Sequence, residues 1–326
     1  MYIFTLFIAT IFPFFTLAQN LVPNPSFEEY KSDTCLIVTN RQIFSDRIEK
    51  WTMPTEGTSD IYGYVFGDEQ CAIHPTSTFP FSIGSQSPRS GDLMAGIFTY
   101  GDFNYREYHQ VELQQPLEQG QRYIAGMYVS LADSMPFAAN NIGMLFSQTA
   151  INLDTNGIIE AFPNISNTKV INERNGWVLV SDTFRLAYDA THLLIGNFFS
   201  DETTAVQRVR DTVSYFRIRS SSYYFIDDVF VEPLPDDLFI PTVFTPNGDG
   251  KNDTFFIEKL ASDSWSLNIY NRWGKRVYFA PSYNNNWDGG SLSPGIYFYE
   301  LNHLRYSYSH RDWVSILKNQ RWATLK

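Results

Sequence analysis

The run Asn247-Gly248-Asp249-Gly250-Lys251-Asn252-Asp253 places oxygen-bearing side chains between glycines. Hard oxygen ligands suit calcium, and Asn247, Asp249 and Asp253 would supply them, but the distal bidentate Glu of an EF-hand loop is missing. The same residues make Asx turns, in which Asn247 and Asp249 accept backbone N–H bonds and no ion is needed. A second chemistry-bearing stretch is Tyr105-Arg106-Glu107-Tyr108. Tyr105, Arg106 and Tyr108 are candidates for contacting a polar ligand. Glu107 could serve as a general acid if Asp102 or Glu112 faced the same cavity at a glycosidase separation, which nothing in the spacing demands. On a strand Arg106 and Glu107 project to opposite faces. Trp51, Trp177, Tyr62, Tyr64, Tyr100, Tyr105 and Tyr108 offer flat rings for the C–H face of a sugar, although as core residues they need no ligand.

Catalytic signatures are otherwise missing. The histidines at 74, 109, 192, 303 and 310 show neither His-x-x-x-His nor His-Glu-x-x-His spacing, and neither a Gly-x-Ser-x-Gly elbow nor a phosphate loop is present. The reading is of a non-catalytic protein. A formal net charge of −11 with no basic run argues against a nucleic-acid partner, which requires clustered Lys and Arg. Such acidity fits solubility outside the cell.

Residues 1–18 are apolar, are interrupted by Pro13, and end in Thr16-Leu17-Ala18 before polarity begins at Gln19. This pattern predicts a signal peptide, and no later stretch is long and apolar enough to span a bilayer. Cys35 and Cys71, the chain's 2 cysteines, lie in the exported part, where an oxidising compartment would let them pair. That bridge would be worth roughly 3 to 4 kcal/mol on the chain-entropy model. The alternatives are two buried thiols or a metal site, for which a pair without Cys-x-x-Cys spacing is a poor signal.

The elements that must position these groups read as strands. Phe and Tyr contribute 27 and 20 residues and charged residues only 18%, a composition that suits pleated surfaces. Up to about residue 232, apolar runs alternate with Gly, Asn, Asp and Pro clusters, as at 93–99, 105–111, 123–131, 142–146, 177–186, 193–199 and 223–231; this many strands make a sandwich. Pro233-Leu234-Pro235-Asp236-Asp237 reads as a linker, because its prolines cannot donate ladder bonds. Short strands then follow at 238–244, 254–257, 265–270, 276–279, 296–301 and 313–317, with a hairpin turn over Asn271–Gly274.

The second unit carries IPTVFTPNGDGKNDTF (240–255), LNIYNRWGKRVYFA (267–280), NNWDGG (285–290), SPGIYFYEL (293–301) and WVSILK (313–318). In order and spacing it resembles the gliding-motility-associated C-terminal domain, the type B sorting domain of the Bacteroidetes type IX secretion system. The resemblance implies a small immunoglobulin-like β-sandwich over 238–326, recognition by the outer-membrane secretion machinery, and delivery to the medium or the outer cell surface. Arg311 and Asp312 stand where that family usually has Gly before its last strand. The first unit, 19–232, begins NLVPNPSFEEY and ends YYFIDDVFVEP, resembling galactose-binding-like jelly rolls, including carbohydrate-binding modules. That likeness implies first and last strands side by side, with a structural calcium held by Glu28 and by Asp227 or Asp228, only one of which reaches the ion on a regular strand. The function expected is a secreted or cell-surface binding protein, with glycan as one ligand class. The alternatives are a structural adhesin without a small-molecule site and, third, a glycan-active hydrolase.

Overall fold

A computed structural model describes residues 20–31, 41–46, 48–63, 86–210, 220–234, 238–260, 264–304 and 308–318. The signal-peptide segment, Cys35, Cys71, Tyr64, His74 and the linker residues 235–237 lie outside the described residues. The chain divides into two compact units, Gln19–Leu234 and Pro235–Lys326.

The strands of the first unit are β1 (Trp51–Thr52), β2 (Asp60–Gly63), β3 (Leu93–Tyr100), β4 (His109–Leu117), β5 (Arg122–Leu131), β6 (Phe137–Ala139), β7 (Ile142–Ser147), β8 (Ile165–Ser166), β9 (Val178–Arg185), β10 (Ala190–Asn197), β11 (Val206–Arg208) and β12 (Ser222–Pro233). They form one five-stranded sheet in the order β1-β4-β10-β7-β8, a second in the order β2-β3-β12-β5-β9, and a small β6-β11 ribbon. Alternation along the strands decides which face meets which. Phe184 of β9 stacks on Phe146 of β7 with ring centroids 4.5 Å apart, so the residues in register with Phe184 face the other sheet. That inner face carries Tyr123, Ala125, Met127, Val129 and Leu131 of β5, with Ile97 of β3 and Tyr224 and Ile226 of β12. Burying each of the Met, Val, Leu and Ile side chains among them stabilises the sandwich by about 1.5 to 3 kcal/mol.

The last strand lies in the middle of its sheet, and the first residues of the unit are tied to it. Leu21 donates its N–H to the Val231 carbonyl at 2.7 Å, and Asn20 accepts from the Val231 N–H at 3.0 Å. One strand expectation in this unit is corrected. Residues 105–108 are irregular and the strand starts at His109, because this segment crosses from β3 in one sheet to β4 in the other.

The second unit holds β13 (Val243–Phe244), β14 (Trp265–Tyr270), β15 (Arg276–Ala280), β16 (Gly295–His303) and β17 (Ser309–Ile316) in one sheet, ordered β13-β17-β16-β14-β15. Its inner face buries Leu267, Ile269, Leu301, Val314 and Ile316 against Phe244, Phe255, Tyr283 and Trp287. Residues 254–257 belong to this covering layer and form no strand: Phe255 donates its N–H to Trp287.

Candidate functional site

The strand β3 ends at Tyr100, and the chain turns through Gly101–Asn104 before re-entering the fold. Phe103 and Asn104 both adopt left-handed backbone, with φ of 61° and 59°, a conformation that costs an ordinary residue of order 1 kcal/mol. The turn is held by reciprocal bonds: the Asn104 N–H donates to Asp201 Oδ2 at 2.9 Å, and the Asp201 N–H donates to Asn104 Oδ1 at 2.7 Å. Phe103 is left 99% exposed, while Tyr100 and Tyr105 beside it are half-buried. Sequence reasoning missed Phe103. The only trace was a large aromatic between Asp and Asn just after a Gly, where turn chemistry, not a hydrophobe, is expected.

Arg106 and Tyr108 do not line this surface, which corrects their assignment as ligand contacts. Both are fully buried. Arg106 donates to the carbonyls of Tyr105 and Phe199 and pairs with Asp201 Oδ1 at 2.8 Å. Tyr108 donates to the Asn197 carbonyl and accepts from the Ile159 N–H, in a cluster with Leu145, Leu194 and Phe198. Asp201 thus serves two masters, holding the exposed turn and neutralising a buried guanidinium. Tyr105 keeps one exposed side, and its hydroxyl donates to Glu107 Oε1 at 2.7 Å.

Glu107 opens onto a second group that the sequence did not reveal. It is 1% exposed, and its other oxygen accepts the Phe98 N–H at 2.9 Å. Burial pushes its carboxyl well up, and the charge of Asp60 pushes it further; the neighbouring carboxylate is therefore Asp60, not Asp102 or Glu112. Asp60 Oδ2 accepts from Tyr223 at 2.9 Å and from Tyr62 at 3.2 Å, and the two phenols are 3.0 Å apart. Burial lifts Asp60 to about 7, against the two phenol bonds that lower it. Asp60 and Tyr62 on β2 come together with Tyr223 on β12 because both strands flank β3. All three occupy the face directed away from the sandwich interior. The network anchors β3 and Tyr105, the two supports of the Phe103 turn.

Glu28, Asp227 and Asp228 do converge, but in a different way from the calcium expectation. A register shift in β12 after Asp227 and left-handed backbone at Asp228, φ 48°, turn both aspartates toward residues 89–90. Asp227 Oδ2 accepts the N–H groups of Arg89 and Ser90; burial raises its carboxyl to about 7. Asp228 accepts from the Ser26 and Ser90 hydroxyls at 2.5 and 2.6 Å and pairs with the Arg89 guanidinium. Burial opposes ionisation there, and these bonds outweigh it to hold the carboxyl low. Glu28 Oε1 accepts from the N–H groups of Asp92 and Leu93 at 2.9 and 2.8 Å. The donors around these three carboxylates are N–H, O–H and a guanidinium, and an ion needs oxygens in those places. The set does not fit calcium as the resemblance implied it.

The Asn247–Asp253 loop takes the Asx-turn form. Asp253 accepts from the N–H groups of Asn247, Gly248 and Gly250 at 2.7 to 2.9 Å, bonds that lower its carboxyl. Asn247 and Asp249 accept from the N–H groups two residues on. Among the described residues no group of three or more His, Cys, Asp or Glu is arranged to hold a metal ion.

Residues 238–316 match the family described as CHU_C Type IX secretion signal domain. The second unit is a type IX secretion signal domain. Its presence marks the chain for export to the cell surface or the medium, and among the described residues no helix is long and apolar enough to cross a membrane. No curated protein matches the sequence. Among solved structures, the chain is similar to the CBM22-1 xylan-binding domain of Paenibacillus barcinonensis Xyn10C, at 8% identity over 58% of this chain and 88% of that one, TM-score 0.30. It is similar to the C-terminal family 22 carbohydrate binding module of Clostridium thermocellum Xyn10B, at 10% identity over 66% and 99%, TM-score 0.31. It is also similar to the adhesin domain of Epf from Streptococcus pyogenes, at 9% identity over 94% and 99%, TM-score 0.27. Similarities at this level assign no ligand to the passenger that the sorting domain carries.

Proposed function

We propose that the protein is a non-catalytic binding module, delivered outside the cell by its sorting domain, and that the jelly roll engages a glycan through the turn at Gly101–Asn104. The observation that carries this reading is Phe103: a fully exposed ring, on strained backbone, fixed by a reciprocal Asn104–Asp201 clamp. A solvent-exposed hydrophobe gains nothing from being held rigidly unless something stacks on it. Tyr100 and Tyr105 widen the apolar surface, and Asp102, Asn104 and Glu202 at its border can meet hydroxyl groups.

A glycan array probed with the exported chain tests the reading. Specific binding that falls at least tenfold in Phe103→Ser, with an unchanged melt, supports it; silence across the array, or binding indifferent to Phe103, removes it.

A further inference from the structure

The strand pairing of the sorting domain sets its outward side chains in rows. The middle row is Trp313, Phe298, Tyr270 and Arg276, across β17, β16, β14 and β15 in that order. To one side lies the row Arg311, Glu300, Asn268 and Phe279, on the same four strands. To the other side lie Val243, Ser315 and Ile296 across β13, β17 and β16, and the turn Asn271–Gly274 stands where that row would cross β14 and β15. Val243, Phe279, Ile296, Phe298 and Trp313 are between 42% and 57% exposed, and Trp273 in the turn is 78% exposed. Single exposed hydrophobes are ordinary, but a contiguous set on one sheet face marks an interaction site.

The order of rings and charges along the rows narrows the occupant. In the middle row the Trp313 ring is at the β17 end and the Arg276 guanidinium at the β15 end; in the next row the order is reversed, with Arg311 on β17 and Phe279 on β15. Consider a two-fold axis parallel to the strands, between β16 and β14, that stacks this sheet on the same sheet of a second copy. It exchanges β17 with β15 and β16 with β14 and keeps each row on itself. Trp313 then meets Arg276, Phe298 meets Tyr270 and Arg311 meets Phe279 of the second copy, each pair occurring twice. Two of these are cation–ring pairs and one is a ring–ring pair, and Ile296 meets the turn that carries Trp273. Arg276 and Arg311 each face a ring and not each other. Glu300 is neutralised within its own chain, accepting from Arg311 Nε at 2.7 Å and from the Tyr270 hydroxyl. Arg276 is held by Asn268 Oδ1 at 3.2 Å and by the Phe279 ring, so it has little freedom left to lose on docking. Five strands and three rows span about 20 Å by 15 Å, a small interface suited to roughly micromolar affinity.

We infer that the outward face of this sheet is a self-association surface, and that its occupant is the same face of a second copy of this chain, related by a two-fold axis along the strands. Two passengers then travel as one particle, which raises avidity for a repetitive target without any new contact.

The test is sedimentation equilibrium of the purified chain, residues 19–326, over roughly 1 to 100 μM. The parent is expected to form a concentration-dependent dimer. Trp313→Arg sets guanidinium against guanidinium at two symmetric contacts and should weaken the dimer at least about tenfold. Adding Arg276→Glu should restore it to within about threefold. That rescue can act only across the axis, because within one chain positions 313 and 276 lie three strand spacings apart, about 14 Å. Ile296→Ser should also weaken the dimer, and it carries the test if Trp313→Arg melts early. Phe256→Ser, an exposed hydrophobe outside these rows, should leave it unchanged. A parent that stays monomeric throughout overturns the proposal, as does a dimer indifferent to Trp313→Arg and Ile296→Ser. Weakening by Trp313→Arg without rescue by Arg276→Glu overturns the two-fold arrangement and the proposal with it. A monomeric parent whose export or glycan binding fails in these variants assigns the face to another partner and also overturns it.

Discussion

Replacing Asp60 by Asn should flatten the dependence of stability on pH near neutrality. Burial holds the Asp60 carboxyl at about 7 in the folded chain, from an ordinary value of 3.8. Between those values the folded state keeps a proton that the unfolded state releases. The associated stability is therefore fully present below the unfolded value and is lost as pH rises through about 7. At about 1.36 kcal/mol per unit, the interval from about pH 5.5 to 7.5 carries about 2 kcal/mol of loss. Asn keeps an acceptor for the Tyr223 and Tyr62 hydroxyls and carries neither the proton nor the charge that repels Glu107. Urea midpoints at several pH values across that interval, for parent and variant, give the comparison directly. The parent should lose about 2 kcal/mol relative to Asp60→Asn as pH rises. Parallel curves would mean that Asp60 is solvated in the folded protein and that the phenol–carboxylate network is not closed.

Phe103→Gly should raise stability by about 1 kcal/mol, since Gly occupies φ 61° without strain, while ligand binding is lost; a lower melt would show that the turn is not strained. Asp201→Asn strands the buried Arg106 guanidinium and loosens the Asn104 clamp, at a cost of about 3 kcal/mol in chemical denaturation. A change under about 0.5 kcal/mol would place Arg106 in contact with water. Because N–H, O–H and guanidinium donors satisfy Glu28, Asp227 and Asp228, a chelator should leave the melting temperature unchanged within about one degree; a drop of several degrees would restore the calcium reading.

Much of the architecture was legible because burial follows alternation. Met127, Val129 and Leu131 declare the inner face of β5 on their own, and the sorting domain was readable from its spaced aromatic and Asn-Gly-Asp-Gly segments. What failed depended on pairing at long range. Tyr105 to Tyr108 alternate like a strand, yet two left-handed residues before them and the crossing between sheets keep them irregular. Arg106 looked like a surface group, and only the fold brings Asp201 and the Phe199 carbonyl to it. Asp227 and Asp228 were placed on opposite faces by the period of a regular strand, and the bulge reversed that. Asp60 sits in the short segment Asp-Ile-Tyr-Gly, whose polar start gave no sign that Tyr223 would close over it.

The position of β12 governs when the passenger can assemble. It is the last strand of the first unit to be made and it sits between β3 and β5, so until residues 222–233 have been synthesised the sheet lacks its centre and the opening Asn20-Leu21 segment has only its bond to Gln114 and none to Val231. Nascent or clipped chains lacking that stretch can bury neither neighbouring strand, and periplasmic proteases would meet them as open polymers. Because the export tag follows within a few residues, a chain that has earned its delivery label is also one that holds every piece needed to fold.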